Sequence, residues 1–195
     1  MLASITPLGE RGRQATWGIT VTFFLFGATA AAAAAGALAG ALGGLLLPAL
    51  GPHARFAALA VALLAPIALD AGGARVPGPR RQVDERWLDK YRGWVYGAGF
   101  GAQLGLGFTT VVSSAATYVA LIAAALTGEA AAGALVFGCF GAVRGLSLLA
   151  AARVQRPDQL VALHAALLRC QRPVTRAGIA VLGAVLVLAS AGSLA

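Results

Sequence analysis

The residues best suited to binding chemistry lie on one predicted helix, where an apolar run without charges holds several hydrogen-bonding side chains. At 100° per residue these side chains fall within about half of the helix circumference. They are Gln103, Thr109, Thr110, Ser113, Ser114, Thr117 and Tyr118. A polar arc on an apolar helix faces protein or water rather than lipid. Such an arc either lines a small polar site or forms hydrogen bonds between packed helices, and the sequence leaves both interpretations open.

Two charged residues extend this candidate site. Arg144 lies inside the fourth apolar segment of the chain, and Asp70 lies near the end of the second. Charged side chains within a bilayer are costly and often functional. Arg144 is therefore a candidate partner for an anionic group or for Asp70. The position of Asp70 is explained more simply by a carboxylate that reaches the membrane surface.

The sequence offers no machinery for catalysis. It contains no grouping of His, Cys, Asp and Glu with the spacing of metal ligands, and no evident pair of nucleophile and base. Cys139 and Cys170 fall on different predicted elements and are interpreted as free thiols. We therefore predict that the protein is not an enzyme, has no catalytic residue, and holds neither a metal nor a cofactor.

Composition places these residues in a membrane. Of 195 residues, 59% are hydrophobic and only 11% are charged, with a mean hydropathy of +0.81. A soluble domain carries about 25% charged residues. The composition therefore predicts a polytopic, all-α helix bundle that forms a single membrane domain over residues 1–195. Its Ala-rich, Arg-over-Lys bias is typical of a GC-rich bacterial genome.

About five segments are apolar enough to approach the length of about 20 residues that a spanning helix needs. They cover residues 17–50, 56–71, 94–126, 130–152 and 177–195. The first and third exceed one straight crossing, because about 33 residues of helix reach roughly 50 Å against a hydrocarbon core of about 30 Å. Each long segment must therefore tilt, protrude, break or fold into a short hairpin.

The basic residues predict the orientation. Most of the 15 lie before the first segment or in the connections 73–93 and 153–176. Cytoplasmic loops collect Lys and Arg, so we expect all three regions on the cytoplasmic side of a bacterial cytoplasmic membrane. The N-terminus is then inside and the C-terminus outside. This distribution also explains the net charge of +8 without a nucleic-acid partner.

Glycines at intervals of four predict faces for close helix packing. One set is Gly36, Gly40 and Gly44, and the other is Gly97, Gly101 and Gly105. The two long segments also share a short match, Phe26-Gly27-Ala28 with Phe100-Gly101-Ala102. Together with the basic flanks, this match suggests a weak two-fold internal repeat of the kind found in transporters.

The stretch 97–128, which contains Gly-Phe-Gly-Ala-Gln-Leu-Gly-Leu-Gly and then a hydroxyl-rich run, resembles the glycine-rich helix of the CcdA/DsbD transmembrane family of cytochrome c biogenesis, within the lysine-exporter-type superfamily. The resemblance implies a helical membrane domain that passes reducing equivalents through paired cysteines beside prolines. This chain has Thr109 to Ser114 where a Cys-Pro pair is expected, and no catalytic residue is carried over.

Three functions follow from these observations. The first is transport of a small solute through the polar face of the third segment. The second is a non-catalytic assembly factor or accessory subunit that docks partner helices. The third is a CcdA-like redox or maturation role. The expected partners are the lipid bilayer and either other membrane subunits or further copies of the chain.

Overall fold

The computed structural model describes residues 5–72, 86–107 and 116–194. Within these ranges the chain is helical and contains no β-strand, as the composition predicts. The helices are α1 (Pro7–Gly12), α2 (Trp17–Leu46), α3 (Pro52–Ala71), α4 (Trp87–Lys90), α5 (Gly93–Leu106), α6 (Ala116–Leu126), α7 (Ala130–Leu146) and α8 (Pro157–Leu194), with a 3-10 turn at Ser147–Ala151 after α7.

Four helical stretches in the described residues are long and apolar enough to cross a membrane. They are Trp17–Leu46, Pro52–Leu69, Ala130–Ala151 and Pro157–Gly192, with mean hydropathies between 1.6 and 1.9. Their length and composition indicate a membrane protein. The third predicted segment holds α5 and α6, and each is shorter than the roughly 30 Å of a hydrocarbon core at 1.5 Å per residue.

The centre of the bundle is α2, which lies between α5 and α7. It runs parallel to α5, because Thr20, Phe24 and Ala28 meet successive glycines of that helix. It runs antiparallel to α7, where Ala32 approaches Gly141 and Gly36 approaches Gly133. Glycine lets helix backbones approach closely, so this part of the core is packed backbone to backbone.

In the third segment, α5 ends at its C-cap residue Gly107. Gly107 has a φ of +72°, a left-handed conformation that glycine adopts without the steric cost of a Cβ. The helix α6 then runs to Leu126 and ends near α2, where Gly44 approaches Gly128. The helices α5 and α6 therefore together extend from one end of α2 to the other.

Three of the regions with basic residues meet at one end of the bundle. The short helix α1 is held there by the Leu8 N–H, which donates to the carbonyl of Val154 at 3.1 Å. In the same place Ile5, Leu88 and Leu148 belong to one buried cluster. The described residues just before α2, α5 and α8 therefore lie together, which is the arrangement expected if the three basic regions face one compartment.

At the opposite end of the bundle, Arg55 in the first turn of α3 connects two turns of the chain. Its Nε donates to the carbonyl of Leu50 at 2.9 Å, and its Nη1 donates to the carbonyl of Thr127 at 2.9 Å. A guanidinium at the end of α6 satisfies carbonyl groups that have no partner within the helix. Arg55 thus ties the α2–α3 turn to the α6–α7 turn.

The helices α3 and α8 form an antiparallel pair on the side of the bundle, where Phe56 of α3 lies beside Gly192 of α8. Leu63 and Leu182 are buried between them and α6. The helix α8 continues through Pro173, although proline removes one backbone hydrogen bond. This residue and the turn before it are exposed, so the carbonyl that loses its partner can reach water or headgroups.

Candidate functional site

Arg144, Thr117 and the end of α5 come together inside the bundle. The Arg144 Nη1 donates to the Thr117 Oγ1 at 3.2 Å. A Cβ placed on Gly107 would lie 3.6 Å from the same Nη1 and 2.7 Å from the Thr117 Cγ2. The break in the third segment therefore lies against a cationic side chain from α7 and a hydroxyl from α6.

This cluster lies at a depth where the surroundings are apolar. Gly145, the next residue of α7, would place a Cβ 3.2 Å from the Cβ of Ala28. Ala28 is roughly 16 Å along α2 from Trp17 at 1.5 Å per residue, and its side chain is fully buried. Arg144 is thus well inside the helical part of the bundle, although it belongs to the last turn of α7.

The arrangement gives Arg144 a defined chemistry. Its guanidinium has five N–H donors, and among the described residues no carboxylate forms an ion pair with it. Thr117, which is 1% exposed, holds the guanidinium in place. A partly buried cation that has no carboxylate partner among the described residues is suited to bind a small anion or the anionic group of a solute.

The remaining residues of the predicted polar arc are distributed on both sides of the break. Gln103 is half-buried on α5 and Tyr118 is half-buried on α6. The side chain of Asp70 lies outside the described part of the structure, so the predicted pairing with Arg144 stays a prediction. The other four members of the arc also lie outside the described residues: Thr109, Thr110, Ser113 and Ser114.

The two predicted glycine sets face helices of the same chain. A Cβ on Gly101 or Gly105 would overlap a carbonyl oxygen of α2, that of Phe24 or Ala28 respectively. Gly97 meets the carbonyl oxygen of Thr20 in the same way. On the other side of α2, the members of the first set meet carbonyl oxygens at the start of α7 and in the turn before it: Gly36 with Gly133, Gly40 with Glu129, and Gly44 with Gly128.

A second polar cluster, which the sequence analysis did not detect, surrounds the carboxylate of Glu10. This side chain of α1 is fully buried. Its Oε2 accepts hydrogen bonds from the Thr20 Oγ1 at 2.7 Å and from the Tyr96 hydroxyl at 2.5 Å. Its Oε1 accepts from the Arg13 Nη2 at 2.8 Å. The cluster joins α1, α2 and α5 at the basic end of the bundle.

Arg13 remains charged in this cluster. Burial alone lowers the pKa of a guanidinium, but the hydrogen bond and negative charge of Glu10 outweigh that effect and raise the pKa of Arg13 above its ordinary value. The ring of Tyr96 also lies under the guanidinium, with 5.9 Å from its centroid to the Arg13 Cζ. The ion pair between Arg13 and the buried Glu10 carboxylate, together with the hydrogen bonds from Thr20 and Tyr96, fixes the position of α1 against the bundle.

A sequence signal for α1 does exist. Thr6 accepts a hydrogen bond from the Gly9 N–H at 3.0 Å, and Pro7 opens the helix. Thr followed by Pro is a combination typical of a helix start. It predicts a helix before the first apolar segment, but it does not predict that Glu10 would be buried, because that depends on Thr20 and Tyr96.

The structure offers no grouping of potential metal ligands among the described residues. Cys139 lies exposed on α7 and Cys170 lies exposed on α8, and both are free thiols. A comparison with protein-family models finds no match, and comparisons with curated proteins and with solved structures also find no significant match. The site must therefore be interpreted from its own geometry.

Proposed function

We propose that this protein transports a small solute that carries a negative charge, through a site formed by Arg144, Thr117 and the break at Gly107. The observation that carries the proposal is the Arg144 guanidinium, which is placed inside the bundle and bound to the Thr117 hydroxyl at 3.2 Å. No carboxylate of the described residues neutralises it. An anionic solute would neutralise the guanidinium when bound.

The break in the third segment supports this interpretation. Substrate sites of many transporters lie near the middle of the membrane at interrupted helices. Here the interruption begins at Gly107, next to Arg144. Because Thr117 is almost fully buried, we interpret the structure as a closed state of the site. The predicted polar arc, from Gln103 to Tyr118, would then line the route to it.

The proposed topology has five passes, with α5 and α6 together forming the third. The N-terminus is inside the cell, the C-terminus is outside, and the membrane is the bacterial cytoplasmic membrane. The meeting of the basic segments at one end of the bundle supports this orientation. The parallel course of α2 and α5 is compatible with two related halves in which α2–α3 corresponds to the third segment and α7.

Reconstitution in liposomes tests the proposal. Purified protein would be incorporated in neutral lipid, and the uptake of radiolabelled chloride, sulfate, phosphate and lactate would be measured. We expect uptake of at least one of these anions above empty liposomes, and its loss in Arg144→Met. The matched control is Arg169→Met, which removes an exposed arginine of α8 and should leave uptake unchanged. Equal uptake by both variants would contradict the proposal.

An accessory or assembly role is the second candidate, and the exposure of α3 and α8 favours it. Both helices contact mainly each other, and large apolar side chains such as Val61, Leu64 and Val187 are exposed on them. That surface suits lipid, a partner helix or a second copy of the chain. The glycine sets do not contribute to it, because they pack within the chain. Co-purification from native membranes with a stoichiometric partner would favour this role.

A CcdA-like redox role is the third candidate, and it would depend on Cys139 and Cys170. They are the two cysteines of the chain, and each is accessible on its helix. No thiol lies in the third segment, where the resemblance places the redox pair. This role ranks last for that reason.

A further inference from the structure

A cavity of about 440 Å³ opens at the basic end of the bundle, separate from the site at Arg144. The end of α1, the start of α2 and the α4–α5 connection form its walls. Its lining includes Arg13, Thr20, Lys90, Arg92 and Trp94. The volume falls within the range of small-molecule sites, about 300–1,000 Å³.

The described residues that line this cavity carry charge of one sign. Three of their side chains are basic and none is acidic. The charge of Arg13 is offset by Glu10 beneath the floor. Lys90 and Arg92 form no ion pair with the described residues, so within this part of the structure they add two positive charges to the cavity. Lys and Arg from two separate segments of the chain therefore converge on one opening.

The floor of the cavity is rigid. The Thr20 and Tyr96 hydroxyls are fixed on Glu10, and the aromatic rings of Tyr96 and Phe100 lie 6.0 Å apart behind them. A binding site needs such support, because its contacts must be held in position before the ligand arrives. The Glu10 cluster therefore holds the side chains of the cavity floor in fixed positions.

Aromatic side chains mark the rim as a membrane-surface position. Tyr91 and Trp94 line the cavity and are 42% and 49% exposed. Tyrosine and tryptophan are enriched where a membrane protein passes through the headgroup layer. Lys and Arg at that level attract anionic lipid headgroups.

We propose that this cavity binds a phosphate ester group, either on a lipid headgroup or on a small soluble molecule. Lys90 and Arg92 would contact the phosphate oxygens, and Trp94 would lie against the remainder of the ligand. The proposal does not depend on transport at Arg144, and either one can fail without the other.

Tryptophan fluorescence provides the test, because the chain has three tryptophans. Trp94 lines the cavity, while Trp17 and Trp87 are partly buried and pack against the buried cluster at the same end. Protein in micelles of a neutral detergent would be titrated with brominated phosphatidylglycerol or with brominated phosphatidylcholine. Bromine quenches tryptophan on contact. We expect phosphatidylglycerol to bind at least tenfold more tightly.

Two double variants with the same change in net charge separate the cavity from the charge of the whole protein. Lys90→Gln with Arg92→Gln should weaken binding of phosphatidylglycerol about 30-fold. Each basic side chain near an anionic surface increases the affinity about five- to sixfold, and the two effects multiply. Arg169→Gln with Arg172→Gln, on the exposed part of α8, should change it less than threefold. Thermal unfolding of both variants checks that they remain folded.

Competition identifies the source of the phosphate. If 10 mM glycerol phosphate or inorganic phosphate displaces the brominated lipid, the cavity accepts soluble phosphate compounds. If it does not, the cavity requires the lipid. Either result supports a phosphate site. Equal binding of the two lipids, or an equal loss in the two double variants, would overturn it.

Discussion

Replacing Gly101 by Ala should destabilise the protein through a steric clash. The new Cβ would overlap the carbonyl oxygen of Phe24 and lie 2.8 Å from its carbonyl carbon and 2.9 Å from its Cα. Comfortable carbon–carbon contacts need about 3.5–4.0 Å, so α5 would have to move from α2 by close to 1 Å. On its opposite side, α2 packs closely against α7 at Gly36 and Gly40. Because of this packing, α2 cannot move away from the new methyl group.

Overpacking of this kind costs about 1–3 kcal/mol. A Gly-to-Ala change in a helix also gains up to about 1 kcal/mol in helix propensity, which must be removed from the comparison. Gly183→Ala is the matched control, because nothing lies within 4 Å of a Cβ at that position of α8. The difference in unfolding free energy between the two variants is therefore the steric cost alone, about 1–3 kcal/mol.

Thermal unfolding in detergent, followed by tryptophan fluorescence, measures this difference. For a chain of this size, 1 kcal/mol lowers Tm by about 2–4 °C, so Gly101→Ala should unfold roughly 2–12 °C below Gly183→Ala. Equal Tm values for the two variants would refute the close packing of α2 and α5, and with it the frame that positions Gly107 and Arg144.

Three further changes test other parts of the account. Glu10→Gln should lower the unfolding free energy by about 1.5–3 kcal/mol, because Arg13, Thr20 and Tyr96 lose a charged hydrogen-bond acceptor. Glu129→Gln, at an exposed position, should have no effect on the same assay. Arg55→Met should cost about 1–2 kcal/mol, since the carbonyl groups of Leu50, Leu126 and Thr127 lose their donor. Changing Cys139 and Cys170 together to Ser should leave anion uptake intact, and a loss would favour the redox role.

The helical membrane architecture was accessible from the sequence, because hydropathy and the position of charges reflect the solvent around each helix rather than contacts between helices. The spacing of the glycines predicted helix-packing faces at both sets. It could not identify which helices they contact, since GxxxG spacing is equally compatible with partners inside or outside the chain. The structure places Gly36 against α7 and Gly101 against α2.

The course of the backbone within the long segments was harder to predict from the sequence. A break within residues 94–126 was one of several alternatives, and the left-handed conformation of Gly107 is not distinguishable by sequence from the other glycines of that run. The continuation of α8 through Pro173 contradicts local propensity, and an exposed position makes it tolerable. The sequence predicted a connection at 153–176 and could not anticipate that it would join the helix.

The Glu10 cluster could not be predicted from the sequence. Glu10 is an ordinary acidic residue near a basic flank, and its burial follows only from tertiary packing of α1 against Thr20 and Tyr96. The contact between Arg144 and Thr117 has the same character, because 27 residues separate them along the chain. Arg144 and Thr117 were both candidate site residues in the sequence, but only the folded structure brings them together at Gly107.

The most direct test of the central claim asks whether water reaches the site at Arg144. Single cysteines would replace Thr117 or Ala124 in a chain whose own cysteines are changed to Ser. Both positions lie buried on α6, but Ala124 packs only in an apolar cluster. In native membranes, a small hydrophilic thiol reagent should label position 117 at least tenfold faster than position 124. Labelling at 117 as slow as at 124 would show that Arg144 and Thr117 form only a structural contact.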